Sequence, residues 1–143
     1  LKNKEENKRH LCEIFGLEYH KDRPVYAMVS RLVGQKGIDL IRQCENELKN
    51  LNADFIFLGS GEKDYENLLI WLSNNTNNIR AYIGYKADLA NQIYAGADFY
   101  LMPSARSQRR LYDKRCLPSH TFLHRRWLRP VHSSKYRGAL TPV

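Results

Sequence analysis

Four short apolar runs, spaced by stretches of helical period, constrain this chain more than any other feature. Residues 25–29, 55–58, 79–83 and 99–102 are rich in β-branched, aromatic and other apolar side chains. Each is too short for a buried helix and reads as a strand covered on both faces. Between them, residues 38–51, 64–72 and 88–95 place apolar side chains at helical intervals. Residues 4–15 form a further predicted helix ahead of the first strand, with Leu11, Ile14 and Phe15 available to one face. Strand and helix alternating through short Gly-containing turns predict an α/β, Rossmann-like domain. Its sheet is parallel and is covered on both faces through right-handed crossovers.

The turn after the first strand carries the most chemistry. Ser30-Arg31-Leu32-Val33-Gly34-Gln35-Lys36-Gly37 lies at the carboxyl end of that strand, where open α/β sheets bind ligands. Arg31 offers a planar fork and Lys36 a point charge, and the following helix start offers free N–H groups, a combination suited to a diphosphate. The residues alone leave a second reading open, that both cations are ordinary solvated loop charges. Gly59 and Gly61 form a second glycine turn, read first as shaping a tight loop. Tyr85 follows a strand-ending glycine, and by its own chemistry reads as a half-buried anchor of that turn.

At 143 residues the chain suits one domain with a real core. It shows no signal peptide and no apolar run of the roughly 20 residues a membrane helix needs, so no membrane partner is expected. Cys12, Cys44 and Cys116 are odd in number and far apart, which fits a reducing compartment. The net charge of +8 is unevenly placed: residues 105–143 hold ten Lys and Arg against the single acid Asp113. Residues 1–104 are close to neutral, so a nucleic-acid partner is not the expectation for the body. In the tail, Cys116, His120 and His124 share an i, i+4, i+8 spacing, but Pro118 interrupts any helix that would align them, and no metal site is expected. Arg125-Arg126-Trp127 is a weak nucleic-acid signal. The opening residue is Leu1 rather than Met, so an upstream portion is expected.

The sequence Ser30-Arg31-Leu32-Val33, then Gln35-Lys36-Gly37 and Asp39-Leu40-Ile41, resembles the signature of bacterial glycogen synthases and plant starch synthases. These are retaining glycosyltransferases of the two-domain GT-B fold that use ADP-glucose or a related sugar nucleotide. Further blocks follow in order: Asn7-Lys8 with Leu11 and Phe15-Gly16-Leu17; Phe57-Leu58-Gly59-Ser60-Gly61-Glu62 with Tyr65-Glu66; Gly84-Tyr85; Ile93 through Asp98; and Leu101-Met102-Pro103-Ser104. The resemblance implies that residues 1–104 are a nucleotide-sugar-binding, partial C-terminal GT-B domain. It implies donor binding by Arg31, Lys36, Gly37 and Tyr85, the last against the base, with loop contacts from Gly59 and Gly61. It also implies transfer of glucose from ADP-glucose to the non-reducing end of an α-1,4-glucan, without a metal cofactor. The acceptor would meet an N-terminal GT-B domain that this sequence does not include, in a bacterial cytoplasm or a plastid. Another GT-B glycosyltransferase, or a non-catalytic module binding polyanions through its tail, are the alternatives.

The resemblance stops at Ser104. The family continues with a Glu-x-x-Gly element whose Glu lies near the transferred sugar, whereas residues 105–143 contain no Glu. No position inherits a catalytic role, and the chain alone is expected to be inactive. A reading-frame slip at or just after Ser104 accounts for the break, the change in charge and the loss of periodicity. With suitable codons Arg106-Ser107-Gln108-Arg109 can read in the next frame as Glu-Ala-Ser-Gly, and Arg126-Trp127-Leu128 as Gly-Gly followed by a codon that can be Leu; only the second glycine, under Trp127, is forced. Residues 105–143 are therefore expected to form a poorly ordered or loosely attached basic tail.

Overall fold

A computed structural model describes residues 2–103 together with the backbone of residues 128–130. Its elements are α1 (Lys2–Ile14), β1 (Val25–Val29), a 3-10 turn (Gly34–Lys36), α2 (Ile38–Gln43), α3 (Glu45–Asn50) and β2 (Asp54–Gly59). There follow α4 (Lys63–Asn75), β3 (Ile79–Ile83), α5 (Ala87–Gly96), β4 (Phe99–Leu101) and β5 (Leu128–Pro130). The sheet order is β3-β2-β1-β4-β5. The first four strands are parallel, and β5 runs antiparallel to β4.

The period of two in the strands sorts their side chains onto opposite faces. Tyr26, Met28, Phe55 and Phe57 join Ile38, Ile41, Leu48, Leu69 and Leu72 in one core, under α2, α3 and α4. Val25, Ala27, Ile56 and Leu58 join Leu11, Cys12, Leu89 and Ile93 in the other, under α1 and α5. Both faces of β1 and β2 are therefore dry, which is why their sequences read as continuous apolar runs rather than alternating ones.

Chain order then fixes where a crevice must open. From β1 to β2 to β3 the sheet grows one way, with α2, α3 and α4 on one face. From β3 the chain returns through α5 on the opposite face and places β4 on the far side of β1. Right-handed crossovers demand that change of face when the direction of growth reverses. The carboxyl ends of β1 and β4 therefore form the switch point.

Three differences from the expected elements have physical causes. The helix expected over residues 38–51 bends at Cys44, whose ψ of 17° leaves the helical range. It does not stop there: Cys44 N–H still bonds Leu40 O at 3.0 Å, and Leu48 N–H bonds Cys44 O at 2.9 Å. The fourth strand ends at Leu101 rather than 102, just before Pro103, which has no N–H for a ladder. A short strand that no side-chain period announces, Leu128–Pro130, pairs with β4. An open strand edge presents unpaired backbone groups, and three extended residues satisfy them whatever their side-chain period. The proposed frame slip, the Cys116, His120 and His124 spacing and Arg125-Arg126-Trp127 lie outside the described residues.

Candidate functional site

Three loops meet along the carboxyl edge of the sheet, and the first two are welded by backbone. Beyond β1 and β2 the pairing continues: Ser30 N–H bonds Leu58 O at 3.1 Å, Leu32 N–H bonds Ser60 O at 2.9 Å, and Glu62 N–H bonds Leu32 O at 2.9 Å. This close approach explains the two glycines. A Cβ on Gly59 would sit 1.9 Å from Ser30 O, and one on Gly61 would sit 2.2 Å from Leu32 O. Only a residue without a side chain fits at either place. The turn-shaping reading of Gly59 and Gly61 is thus the one the geometry displays.

Glu66, in the first turns of α4, locks the second loop. Its Oε1 accepts the Gly61 N–H at 3.0 Å and its Oε2 meets Lys63 Nζ at 3.1 Å. The Gly61 N–H first, and Lys63 second, hold this carboxyl below the usual carboxylate range. On the neighbouring side, the Tyr65 hydroxyl donates to Asp39 Oδ2 at 3.0 Å and ties α4 to the start of α2. Gly37 joins the 3-10 turn to α2 with φ at +73°, a left-handed conformation that favours glycine.

On this framework Arg31 and Lys36 stand exposed, while Leu32 between them is buried. Neither the guanidinium nor the ammonium makes a hydrogen bond or ion pair with a described residue. Tyr85 is 70% exposed, in the loop after β3, so it is not the half-buried anchor its residue type suggests. That loop is fastened by Gly84 (φ +132°), whose N–H bonds Gly59 O at 2.8 Å. The structure therefore brings Arg31, Lys36, Gly37, Gly59 and Gly61 into two fused loops. Tyr85 lies in the adjoining third loop. The Gly61–Glu66 lock was not read from sequence, because a carboxylate five residues from its donor follows no local pattern.

Among the described residues, no three of His, Cys, Asp or Glu are placed to hold a metal ion. No helix among them is long and apolar enough to cross a membrane. Cys12 and Cys44 are buried in the two separate cores, and burial pushes each thiol up to about 11, which leaves them unreactive near neutral pH.

No family model matches the chain. Glycogen synthase from Bacillus cereus (strain B4264) is 43% identical over 105 residues, covering 73% of this chain and 22% of the relative. Glycogen synthase from Hydrogenobaculum sp. (strain Y04AAS1) is 43% identical over 102 residues, covering 71% and 21%. Among solved structures, the catalytic domain of starch synthase IV from Arabidopsis thaliana, bound to ADP and acarbose, superposes with a TM-score of 0.62. It is 31% identical and is matched over 71% of this chain and 22% of that one. With the parallel sheet, these likenesses mark the chain as part of a domain of the GT-B class. More narrowly, the chain belongs to the glycogen synthase and starch synthase family. It spans 22% of the length of the Bacillus relative it matches.

Proposed function

We propose that residues 1–104 are the donor-binding part of an α-1,4-glucosyltransferase that moves glucose from ADP-glucose to the non-reducing end of an α-glucan with retention. The observation that carries this reading is the pair Arg31 and Lys36, exposed and unpaired among the described residues at the switch point. In the transfer, the bond between glucose C1 and the diphosphate oxygen breaks, the acceptor hydroxyl oxygen bonds C1, and that hydroxyl's proton is lost. Negative charge grows on the departing diphosphate, where a fixed guanidinium and ammonium stabilise it. Tyr85 packs against the base, which its exposure permits. ADP is preferred to UDP because the starch synthase neighbour is bound to ADP. The glucan acceptor would approach from an N-terminal GT-B domain, and a reducing bacterial cytoplasm or plastid suits the two buried free thiols.

Calorimetric titration with ADP and with pyrophosphate tests these roles. Arg31→Ala or Lys36→Ala removes a charge-assisted phosphate contact worth about 1.5–3 kcal/mol and should weaken both ligands tenfold or more. Tyr85→Ala should weaken ADP alone, since pyrophosphate has no base. Unchanged ADP affinity in both cation variants would leave them as solvated loop charges and remove the donor site. The frame-slip proposal is tested separately, by sequencing DNA across codons 100–110: an unambiguous open frame shared by independent clones would end it.

A further inference from the structure

We propose that the Tyr100 hydroxyl is a positioning group for the donor loop: it replaces the missing end of the β1–β4 ladder and fixes the strand end from which Arg31 projects. In β1 the odd-numbered residues turn their backbone groups toward β4. Val25 O accepts Asp98 N–H at 2.8 Å, and Val25 N–H is taken by the Asp98 side chain at 2.9 Å. The paired register then runs only through Tyr26↔Phe99 and Ala27↔Tyr100. Val29 is the next residue facing that way, but β4 ends at Leu101 and has no strand partner to offer it. Tyr100 lies on the same face as Ala27 and leans along the sheet to fill the gap. Its Oη is 3.0 Å from Val29 N and 3.0 Å from Val29 O, so one hydroxyl accepts the N–H and donates to the carbonyl. The ring packs against Tyr94, with centroids 5.2 Å apart and hydroxyls 3.1 Å apart.

β4 can thereby end at Leu101 while the last residue of β1 keeps its backbone satisfied. Val29 lies two residues before Arg31, so its anchoring, together with the Ser30 and Leu32 bonds to the second loop, sets where the guanidinium is presented. The functional consequence, though not the anchoring, rests on the donor-site reading above. Preorganised groups lose their advantage when their support loosens, even with every contacting residue intact.

Tyr100→Phe in the full 143-residue chain keeps the ring and deletes the hydroxyl. The expected result is an ADP affinity lowered about tenfold and faster hydrogen exchange at the Val29 amide. In a double-mutant cycle the effect of Arg31→Ala should shrink once Tyr100→Phe is present, whereas a merely structural role would leave the two effects additive. Tyr94→Phe leaves both Val29 bonds and should change ADP affinity less than twofold. Equal ADP affinity in Tyr100→Phe and the parent, strict additivity, or an equal loss in Tyr94→Phe would each overturn the proposal. If the parent binds no ADP, the donor reading fails, and Val29 exchange decides the anchor: accelerated in Tyr100→Phe upholds it, unchanged overturns it. Rapid Val29 exchange in the folded parent would overturn it without any variant.

Discussion

The two edges of the sheet carry the same kinds of charge and use them in opposite ways. At the amino edge, Lys8 is 6% exposed, meets Asp98 at 2.9 Å and donates to Arg23 O at 2.7 Å. Beside it Arg23 pairs with the buried Asp54 at 3.1 Å, and the Asn78 amide bonds Leu48 O and Ala53 O. Lys4 caps the end of α5 through the Ala95 and Ala97 carbonyls. These cations are consumed in holding α1, α5 and the strand starts together. At the carboxyl edge the framework is made by backbone and glycine instead, and Arg31 and Lys36 are left without described partners. A charge that a fold spends on itself is unavailable to a ligand, and the contrast supports the proposal that the carboxyl edge binds.

The largest effects should come from the glycines that let the carboxyl-edge loops touch. Gly59→Ala or Gly61→Ala drives a Cβ into a backbone carbonyl that no rotamer can move, and should cost about 3 kcal/mol. Urea unfolding measures this, and an unshifted midpoint would mean that the loops are not fused. Next comes Lys8→Ala, which removes the cation from Asp98 and the donor from two carbonyls and should cost about 2–3 kcal/mol by the same assay. Because Lys8 belongs to the other edge, the folded variant should keep its ADP affinity.

Acid titration sharpens the comparison through two carboxylates. Glu66, at the carboxyl edge, is held below its ordinary range, so its stabilisation is complete above that range and is lost as pH falls through its lowered native value. Asp54, at the amino edge, is pushed up by burial despite the opposing pull of Arg23. Between its ordinary and raised values the native state binds the extra proton, so its contribution to stability improves as pH falls. Glu66→Gln should therefore flatten the loss of stability on acidification, and Asp54→Asn should steepen it. Urea midpoints measured from pH 7 down to pH 3 check both signs. Same-direction changes would show that the two carboxylates are not differently held. The smallest effect is that of Tyr85→Ala on stability, expected within about 0.5 kcal/mol because the ring is mostly exposed. A larger loss would return Tyr85 to an anchoring role.

Much of this was legible in the chain. The runs at 25–29 and 79–83 coincide with β1 and β3; β1 is continuously apolar because both its faces are buried, whereas β3, at the sheet edge, is mostly half-buried and admits Arg80. Arg31 and Lys36 were visible as a pair because their spacing lies within one loop. What escaped was set by tertiary pairing. No local pattern announces that Tyr100 reaches Val29, 71 residues away, or that β5 joins from residue 128. Nor does it reveal that Gly59 and Gly61 answer to carbonyls nearly thirty residues earlier. Residue type alone points Tyr85 inward, since an aromatic after a glycine turn ordinarily packs so, but the ring stands exposed.

Calorimetric titration of ADP into the parent chain, Arg31→Ala and Lys8→Ala tests the division of labour most directly. The expected result is a tenfold or greater loss of affinity in Arg31→Ala and parental affinity in folded Lys8→Ala. Parental affinity in Arg31→Ala, or equal losses in the two variants, would contradict the assignment of binding to the carboxyl edge.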